Sequence, residues 1–155
     1  MRPAVLPCSC FWRMSMVKWL KRIGFVLYLL ILFRITVFRS GWYDNSFFQG
    51  QIELIPFQDI FGYLFNDRWF DFVYLFFGNI LWFVPFGLVC CAKKQGIWKT
   101  LLWTFLLSLT IEVLQFVFSS GYSDVEDLIL NTLGGGLGYL FFCLCYRFRK
   151  QHIAQ

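Results

Sequence analysis

Charged residues and histidine are scarce in this sequence. Asp, Glu, Lys and Arg make up 15% of its 155 residues, whereas hydrophobic residues make up 59% and aromatic residues 23%. A soluble domain of this length has too little interior to bury so many apolar side chains, so a membrane protein is expected. The one histidine, His152, lies in the C-terminal tail. Its position excludes a Ser-His-Asp triad or a phosphohistidine inside the apolar part of the chain.

The net charge of +5 comes from separate basic clusters rather than from a continuous basic face. Eleven of the fourteen Lys and Arg residues lie at positions 2–22, 93–99 and 147–150, between long apolar runs. A nucleic-acid-binding protein would interleave basic and polar residues on one face, so no nucleic-acid partner is expected. Basic clusters between apolar runs are typical of cytoplasmic loops under the positive-inside rule.

Four apolar runs predict four transmembrane helices, because roughly 20 apolar residues are needed to cross about 30 Å of hydrocarbon. The expected helices cover residues 18–38, 72–92, 100–118 and 124–146. The predicted fold class is all-α: a polytopic membrane protein with a four-helix bundle. A single membrane domain is expected over residues 16–150, preceded by a disordered extension at residues 1–15.

The loop between the first two predicted helices holds five acids and two arginines, so it is expected outside the cell. This loop, residues 39–71, is also rich in aromatic residues and is interrupted by Pro56 and Gly62. We interpret it as an interfacial segment at headgroup depth. The alternative is a fifth, broken membrane segment. The basic clusters then place both termini in the cytoplasm of a multi-pass inner-membrane protein.

Six cysteines occur as three close pairs near the predicted cytoplasmic side, where thiols stay reduced. The pairs are Cys8 with Cys10, Cys90 with Cys91, and Cys143 with Cys145. We interpret them as small packing residues. A metal site among them is not expected, because the only histidine lies in the tail.

Polar residues inside the predicted helices share narrow helix faces and nearly one depth. Each stripe covers an arc of roughly 80°, and depths at about 1.5 Å per residue agree to within a few ångströms. The stripes are Thr104, Ser108, Glu112 and Gln115 on the third helix, and Asp124, Asp127, Asn131, Gly134 and Gly138 on the fourth. We predict one binding cluster in the outer half of the bilayer, formed by Asn79, Glu112, Gln115, Asp124, Asp127, Asn131 and Arg34.

Three carboxylates oppose one arginine in this cluster, so protons, a cation or a cationic ligand group must balance the excess negative charge. A divalent cation at the carboxylates is one option; no other cofactor is expected. We expect Arg34 to pair with Glu112 or Asp127, the alternative being that it snorkels towards the headgroups. For Asn79, Gln115 and Asn131, a purely structural polar network is the alternative.

Small residues and one proline predict how the helices pack. Gly134 and Gly138 would let a neighbouring helix approach closely. On the second helix Pro85 leaves a backbone carbonyl without its helical donor, and Gly87 follows two residues later. These four residues are expected to serve helix packing.

Three motifs in this sequence resemble the VanZ-like family over about residues 20–146. They are Gly78-Asn79-Ile-Leu-Trp-Phe-Val-Pro85-Phe-Gly87, Ser108-Leu-Thr-Ile-Glu112-Val-Leu-Gln115 and Asp124-Val-Glu-Asp127-Leu-Ile-Leu-Asn131-Thr-Leu-Gly134. Leu54-Ile55-Pro56-Phe57 resembles a fourth family element. The resemblance implies a bacterial inner-membrane protein related to one that confers low-level resistance to the glycopeptide teicoplanin.

Two positions depart from the family pattern. Relatives often have Asn before Leu-Ile-Pro-Phe, where this chain has Glu53, and often have Arg shortly before the first Asp of the fourth helix. Here that stretch reads Gly121-Tyr122-Ser123. If the Arg of the relatives holds an anionic group, this chain must use Arg34 or Arg68 instead, or bind none.

Three functions are compatible with these features. The first is an envelope protein that changes how glycopeptides reach their lipid-linked target at the outer leaflet. The second is an enzyme acting on a lipid or lipid-linked cell-wall precursor, with Glu112 and Asp127 as acid and base or as ligands of a hard cation. The third is a transport or assembly subunit, which four spans without an internal repeat disfavour. The expected partners are membrane lipid and a lipid-linked cell-wall precursor or lipoglycopeptide.

The charge distribution makes the predicted orientation testable. Reporter fusions after Gln95 should report a cytoplasmic location, because that loop is basic, and fusions after Asp59 should report an external one. The opposite result at either position would overturn the orientation, and the outward location of the polar cluster with it.

Overall fold

A computed structural model describes residues 8–37, 48, 50–120 and 122–153 of the protein. The described chain forms five helices and a short parallel two-stranded sheet. The elements in chain order are α1 (Cys8–Thr36), β1 (Gln51–Glu53), α2 (Gln58–Phe65), α3 (Trp69–Ala92), α4 (Ile97–Val117), β2 (Tyr122–Asp124) and α5 (Val125–Ile153). The predicted helical membrane-protein fold is confirmed.

Among the described residues, three helices are long and apolar enough to cross a membrane: α3, α4 and α5. α1 does not meet the same criterion, so a fourth span stays a prediction. α1 begins at Cys8, within the segment expected to be disordered, whose residues 1–7 lie outside the described part. Similarly, α5 continues to Ile153, beyond the expected end at residue 146. Lys and Arg are good helix formers, so the basic cluster at residues 147–150 does not end α5, whereas α3 ends at Ala92, directly before Lys93.

α3 and α5 run side by side with their backbones in close contact. A Cβ on Gly134 would overlap the backbone carbonyl of Ile80, and one on Gly138 would overlap that of Val84. Gly87 of α3 lies against the α5 backbone in the same way. Three of the four residues expected to serve packing therefore lie at this contact, where only glycine leaves room.

Pro85, the fourth, lies on the side of α3 that faces α1. The two helices meet there through the Phe25 and Phe86 rings, whose centroids are 6.1 Å apart. The Tyr28 hydroxyl donates a 2.6 Å hydrogen bond to the Trp82 carbonyl of α3. Within an apolar bundle such a bond supplies a backbone acceptor with a partner that lipid cannot provide.

Two apolar clusters hold the elements together. Leu32 and Val37 pack with Phe83 of α3 and Ile111 of α4, which anchors the C-terminal end of α1. The second cluster joins α2 to α3 and α5 through Ile60, Ile80 and Leu130.

The described part of the interfacial segment does not cross the bundle. α2 has 8 residues, which span only about 12 Å at 1.5 Å per residue, so it cannot cross the membrane by itself; the alternative of a broken segment that enters the membrane and returns stays a prediction. Ile60 is buried against the bundle, whereas Phe61 and Phe65 are exposed, as expected for a helix lying at an interface. Residues 38–47 of the predicted first span and loop lie outside the described part.

The β1–β2 sheet was not expected from the sequence. Its strands pair in parallel, with Ile52 opposite Ser123 and Glu53 opposite Asp124. Gly50 precedes β1, and a Cβ there would come within 2.7 Å of the Phe116 backbone. The sheet therefore ties the interfacial segment to the end of α4 and the start of α5.

The two ends of the bundle differ in charge. Eight of the nine acids lie in residues 53–71 and 112–127, around the start of α3, the end of α4 and the start of α5; Asp44, the ninth, lies outside the described residues. We call this the acidic end. The opposite end, with residues 93–99 between α3 and α4 and the last turns of α5, contains basic residues and no acid, and we call it the basic end.

The close contact between α3 and α5 can be tested with a single methyl group. Gly138→Ala should lower the thermal unfolding midpoint in detergent, because the new Cβ overlaps the Val84 carbonyl. Gly24→Ala is the matched control: its Cβ meets nothing within 4 Å, and Ala in a helix is favoured over Gly by about 1 kcal/mol. An unchanged midpoint for Gly138→Ala would contradict the contact.

Candidate functional site

A stripe of buried polar residues runs along α4 towards the acidic end. Thr100, Thr104, Ser108 and Glu112 repeat every four residues and are all buried. The Thr104 hydroxyl donates to the Thr100 carbonyl at 2.8 Å, and the Thr100 hydroxyl to the Gly96 carbonyl at 3.1 Å. The hydroxyl groups of these threonines thus donate within their own helix. Ser108 and Glu112 instead accept hydrogen bonds from other elements.

Glu112 joins α4 to the strand before α5. Its side chain is 5% exposed, and its Oε2 accepts a 2.9 Å hydrogen bond from the Asp124 backbone N–H. The Ser123 hydroxyl donates to the Glu112 carbonyl oxygen at 2.8 Å. Glu112 therefore accepts two hydrogen bonds from this strand, one at its carboxyl group and one at its backbone carbonyl.

The first turns of α5 connect to both neighbouring helices. Asp124 Oδ1 accepts a 2.8 Å hydrogen bond from the Glu126 N–H and so caps the helix N-terminus. Asp127 Oδ1 accepts from the Asn79 side-chain amide of α3. Asn131 donates to the Ser108 hydroxyl of α4 at 2.8 Å. Three helices thus meet through side chains that the sequence assigned to one cluster.

A small cavity of about 50 Å³ lies between these helices and the end of α1. Because a water takes up about 30 Å³ in the liquid, the cavity has room for one or two waters or a small polar group. Its lining residues are Ile35, Thr36, Tyr74, Leu75, Gly78, Asn79, Trp82, Ile111, Glu112, Gln115, Asp127 and Asn131. Five of the seven residues predicted to form the binding cluster line this polar cavity; Asp124 and Arg34 do not.

The polar cavity contains more hydrogen-bond acceptors than donors. The Gln115 amide nitrogen donates to the Thr36 carbonyl at 3.2 Å, and the Asn131 nitrogen is used by Ser108. The oxygens Gln115 Oε1 and Asn131 Oδ1 are buried and accept no hydrogen bond from any residue that the structure describes. Together with the carboxyl groups of Glu112 and Asp127, they suit a ligand group that donates hydrogen bonds or carries positive charge.

An apolar cleft of about 260 Å³ lies against another side of Glu112. It is formed by β1, the end of α4 and the start of α5, and Ile52, Leu109, Val113 and Leu128 contribute to its walls. Asp124 lines this cleft rather than the polar cavity. Glu112 borders both spaces, so polar and apolar binding surfaces adjoin at one carboxyl group.

The arginines lie outside the polar cavity. Arg34 is exposed on α1 although its neighbours Ile35 and Thr36 line the cavity. Pairing of Arg34 with Glu112 or Asp127, and snorkelling as its alternative, stay predictions. Arg68 is engaged by Asp71 at 2.8 Å and lies over the Tyr63 ring, 4.7 Å from its centroid.

Carboxyl groups that could hold a hard cation cluster at the start of α5. Oxygens of Asp124, Glu126 and Asp127 lie within 4.8 Å of one another, and oxygen ligands are those that Ca²⁺ and Mg²⁺ prefer. The sequence-based option placed the cation at the carboxylates of the predicted cluster, Glu112, Asp124 and Asp127, so Asp124 and Asp127 are shared by the two sets.

The family model described as VanZ/LLP1 matches residues 25–146, which include every residue around the polar cavity. The chain belongs to the VanZ/LLP1 family. Protein VanZ of Enterococcus faecium is 37% identical over 75 residues, which are 47% of this chain and 47% of that protein. The chain thus matches about half the length of this VanZ relative. No solved structure shows a significant match.

Sequence reasoning missed several residues of this VanZ-family site. Thr36, Tyr74 and Ser123 contribute to the cavities or to the Glu112 contacts, but each lies in a stretch with no stripe to mark it. Glu126 is 3% exposed. It was not predicted as a site residue, because consecutive residues of a helix lie on different faces and Glu126 is next to Asp127. A carboxylate in the first turn of an apolar helix is the signal that would have identified it.

The Glu112 contact predicts a local change in amide exchange. Glu112→Ala should speed hydrogen exchange of the Asp124 amide by at least about fivefold, because a hydrogen bond to a buried acceptor is lost. Glu112→Gln keeps an oxygen at this position and should have a smaller effect. Val113→Ala, a change on the exposed neighbouring residue, is the control. Equal exchange in the Ala variant and the wild type would refute the contact.

Proposed function

We propose that this VanZ/LLP1-family protein resides in the bacterial inner membrane and influences susceptibility to glycopeptides such as teicoplanin through a site near the outer leaflet. The observation that carries the proposal is the position of Glu112 between a polar, acceptor-rich cavity and an apolar cleft. An amphipathic molecule complements both surfaces if its head group donates hydrogen bonds and its tail is a hydrocarbon chain. Lipid-linked cell-wall precursors and lipoglycopeptides belong to this class.

The placement near the outer leaflet rests on charge. The polar cavity lies towards the acidic end, and the basic end carries the Lys and Arg clusters that the positive-inside rule assigns to the cytoplasm. A molecule diffusing in the outer leaflet would therefore meet the cleft between β1, α4 and α5. The exposed aromatic residues of the interfacial segment, Phe61 and Phe65 among them, suit headgroup depth beside it.

Drug susceptibility tests the proposal directly. Expression in a susceptible host should raise the minimum inhibitory concentration of teicoplanin several-fold. Asp127→Asn and Gln115→Leu should abolish the increase, since each alters an acceptor of the polar cavity. Thr110→Val is the matched control: Thr110 is exposed on α4 and bonds only within its helix in the described contacts. Immunodetection in membranes should show equal amounts of all variants.

Two results would reject the proposal. One is unchanged teicoplanin susceptibility on expression of the wild type at a confirmed membrane level. The other is full protection by both cavity variants. A glycopeptide without an acyl chain provides a further comparison, because the apolar cleft should add nothing to the response to it.

An enzymatic role is favoured by one specific observation, namely that Glu112 and Asp127 line the same small cavity. Two carboxyl groups around one space can act as acid and base on a lipid or lipid-linked precursor. Lipid profiling of cells with and without the gene tests this alternative. An accumulating substrate that disappears on complementation with the wild type, but not with Asp127→Asn, would favour the enzyme over a binding protein.

A further inference from the structure

A large groove lies at the basic end of the bundle, far from the polar cavity. It has a volume of about 700 Å³ and runs between α1 and α3, with Phe142 of α5 contributing to it. Gly24, Phe25, Pro85 and Leu88 are among the residues that line its walls. Pockets of this size accommodate ligands as large as cofactors and lipids, and the walls are apolar enough to hold a hydrocarbon chain.

Three cations line the mouth of this groove. Lys21 and Arg22 come from α1, and Lys93 follows the last residue of α3. The Lys93 ammonium lies 5.3 Å from the centroid of the Phe25 ring, a cation–π contact that keeps it beside the groove wall. All three side chains are exposed.

The sequence provides no acid near this mouth. Residues 1–43, 72–111 and 128–155 contain no Asp or Glu, and these ranges include all of α1 and the facing halves of α3 and α5. Within residues 8–37, 50–120 and 122–153, the positive charge therefore meets no side-chain carboxylate at this end of the bundle. A ligand phosphate or an anionic headgroup would supply the opposing negative charge.

We propose that the groove is a binding site for an anionic phospholipid, with one acyl chain between α1 and α3 and the phosphate on Lys21, Arg22 and Lys93. Basic pockets between transmembrane helices attract lipid phosphates, and each methylene group buried adds to the affinity. A zwitterionic phospholipid carries its own ammonium group, which the three cations repel. The site is distinct from the glycopeptide proposal and does not depend on it.

The groove explains two local features of the sequence. Gly24 has no side chain to fill the space, and a Cβ there would meet nothing within 4 Å. Pro85 presents an apolar ring without an N–H donor to the same groove, which suits contact with an acyl chain.

Lipid titration of the purified full-length protein tests the site. Native mass spectrometry should detect one tightly bound phosphatidylglycerol, with an apparent Kd about tenfold lower than that for phosphatidylcholine with the same acyl chains. Added glycerol phosphate, which has the head group without the chains, should not compete at equal concentration. Equal affinity for the two phospholipids would overturn the proposal, and so would full competition by glycerol phosphate.

Charge variants locate the head-group contact. The triple variant Lys21→Gln, Arg22→Gln, Lys93→Gln should lose the preference for phosphatidylglycerol. The triple variant Lys18→Gln, Lys99→Gln, Lys150→Gln removes the same charge from the same end of the protein but from outside the groove, and it should keep the preference. If both triple variants lose it to the same extent, the attraction is a general surface effect and the proposed site is wrong.

A variant that fills the groove tests the site even if the triple variant of Lys21, Arg22 and Lys93 proves unstable. Gly24→Leu places a side chain in the open groove without changing charge, and the helix should tolerate it because Leu is a better helix former than Gly. Its thermal midpoint should match or exceed that of the wild type, while the Kd for phosphatidylglycerol should rise about tenfold. Binding equal to that of the wild type would refute a chain seated between α1 and α3.

Discussion

The contact between the backbones of α3 and α5 is the constraint on which the rest of the structure depends. Gly134 and Gly138 leave no space between the helices, and this brings Asn79 of α3 within reach of Asp127 of α5. Helices separated by large side chains would leave these two groups apart and facing lipid, where unpaired polar groups are costly. The glycines therefore act on the polar cavity without contacting it, since they set the separation of the two helices that carry its side chains.

α4 completes the cavity in a different way. In an apolar surrounding, its polar side chains must find hydrogen-bond partners within the protein. The hydroxyl groups of Thr100 and Thr104 donate to carbonyl oxygens of their own helix. Ser108 and Glu112 instead receive hydrogen bonds from α5 and the strand before it. The amide nitrogens of Gln115 and Asn131 donate hydrogen bonds between helices, and the acceptor oxygens of these side chains remain at the cavity. A ligand that supplies donors or positive charge would satisfy groups that the protein leaves without partners in the described structure.

The sequence predicted the helices from the length of the apolar runs, and the grouping of polar residues from the 3.6-residue period within each helix. Asn79, Glu112 and Asn131, on three different helices, share a depth that can be counted along the chain. The β1–β2 sheet could not be predicted, because strands of three residues carry no periodic signal and the pairing joins Ile52 to Ser123 across nearly half of the chain. The outward position of Arg34 was likewise beyond sequence, since adjacent residues of α1 face the cavity and the surface, and only the placement of α1 decides which.

Charge separation gives the two ends of the bundle complementary chemistry. At the acidic end, carboxyl and amide oxygens surround a small cavity and adjoin an apolar cleft at Glu112. At the basic end, Lys21, Arg22 and Lys93 border an apolar groove. Both sites pair a charged opening with a hydrocarbon surface, but with opposite sign. An anionic lipid that occupies the groove would hold α1 against α3 by contacting both, and α1 also forms part of the polar cavity through Ile35 and Thr36.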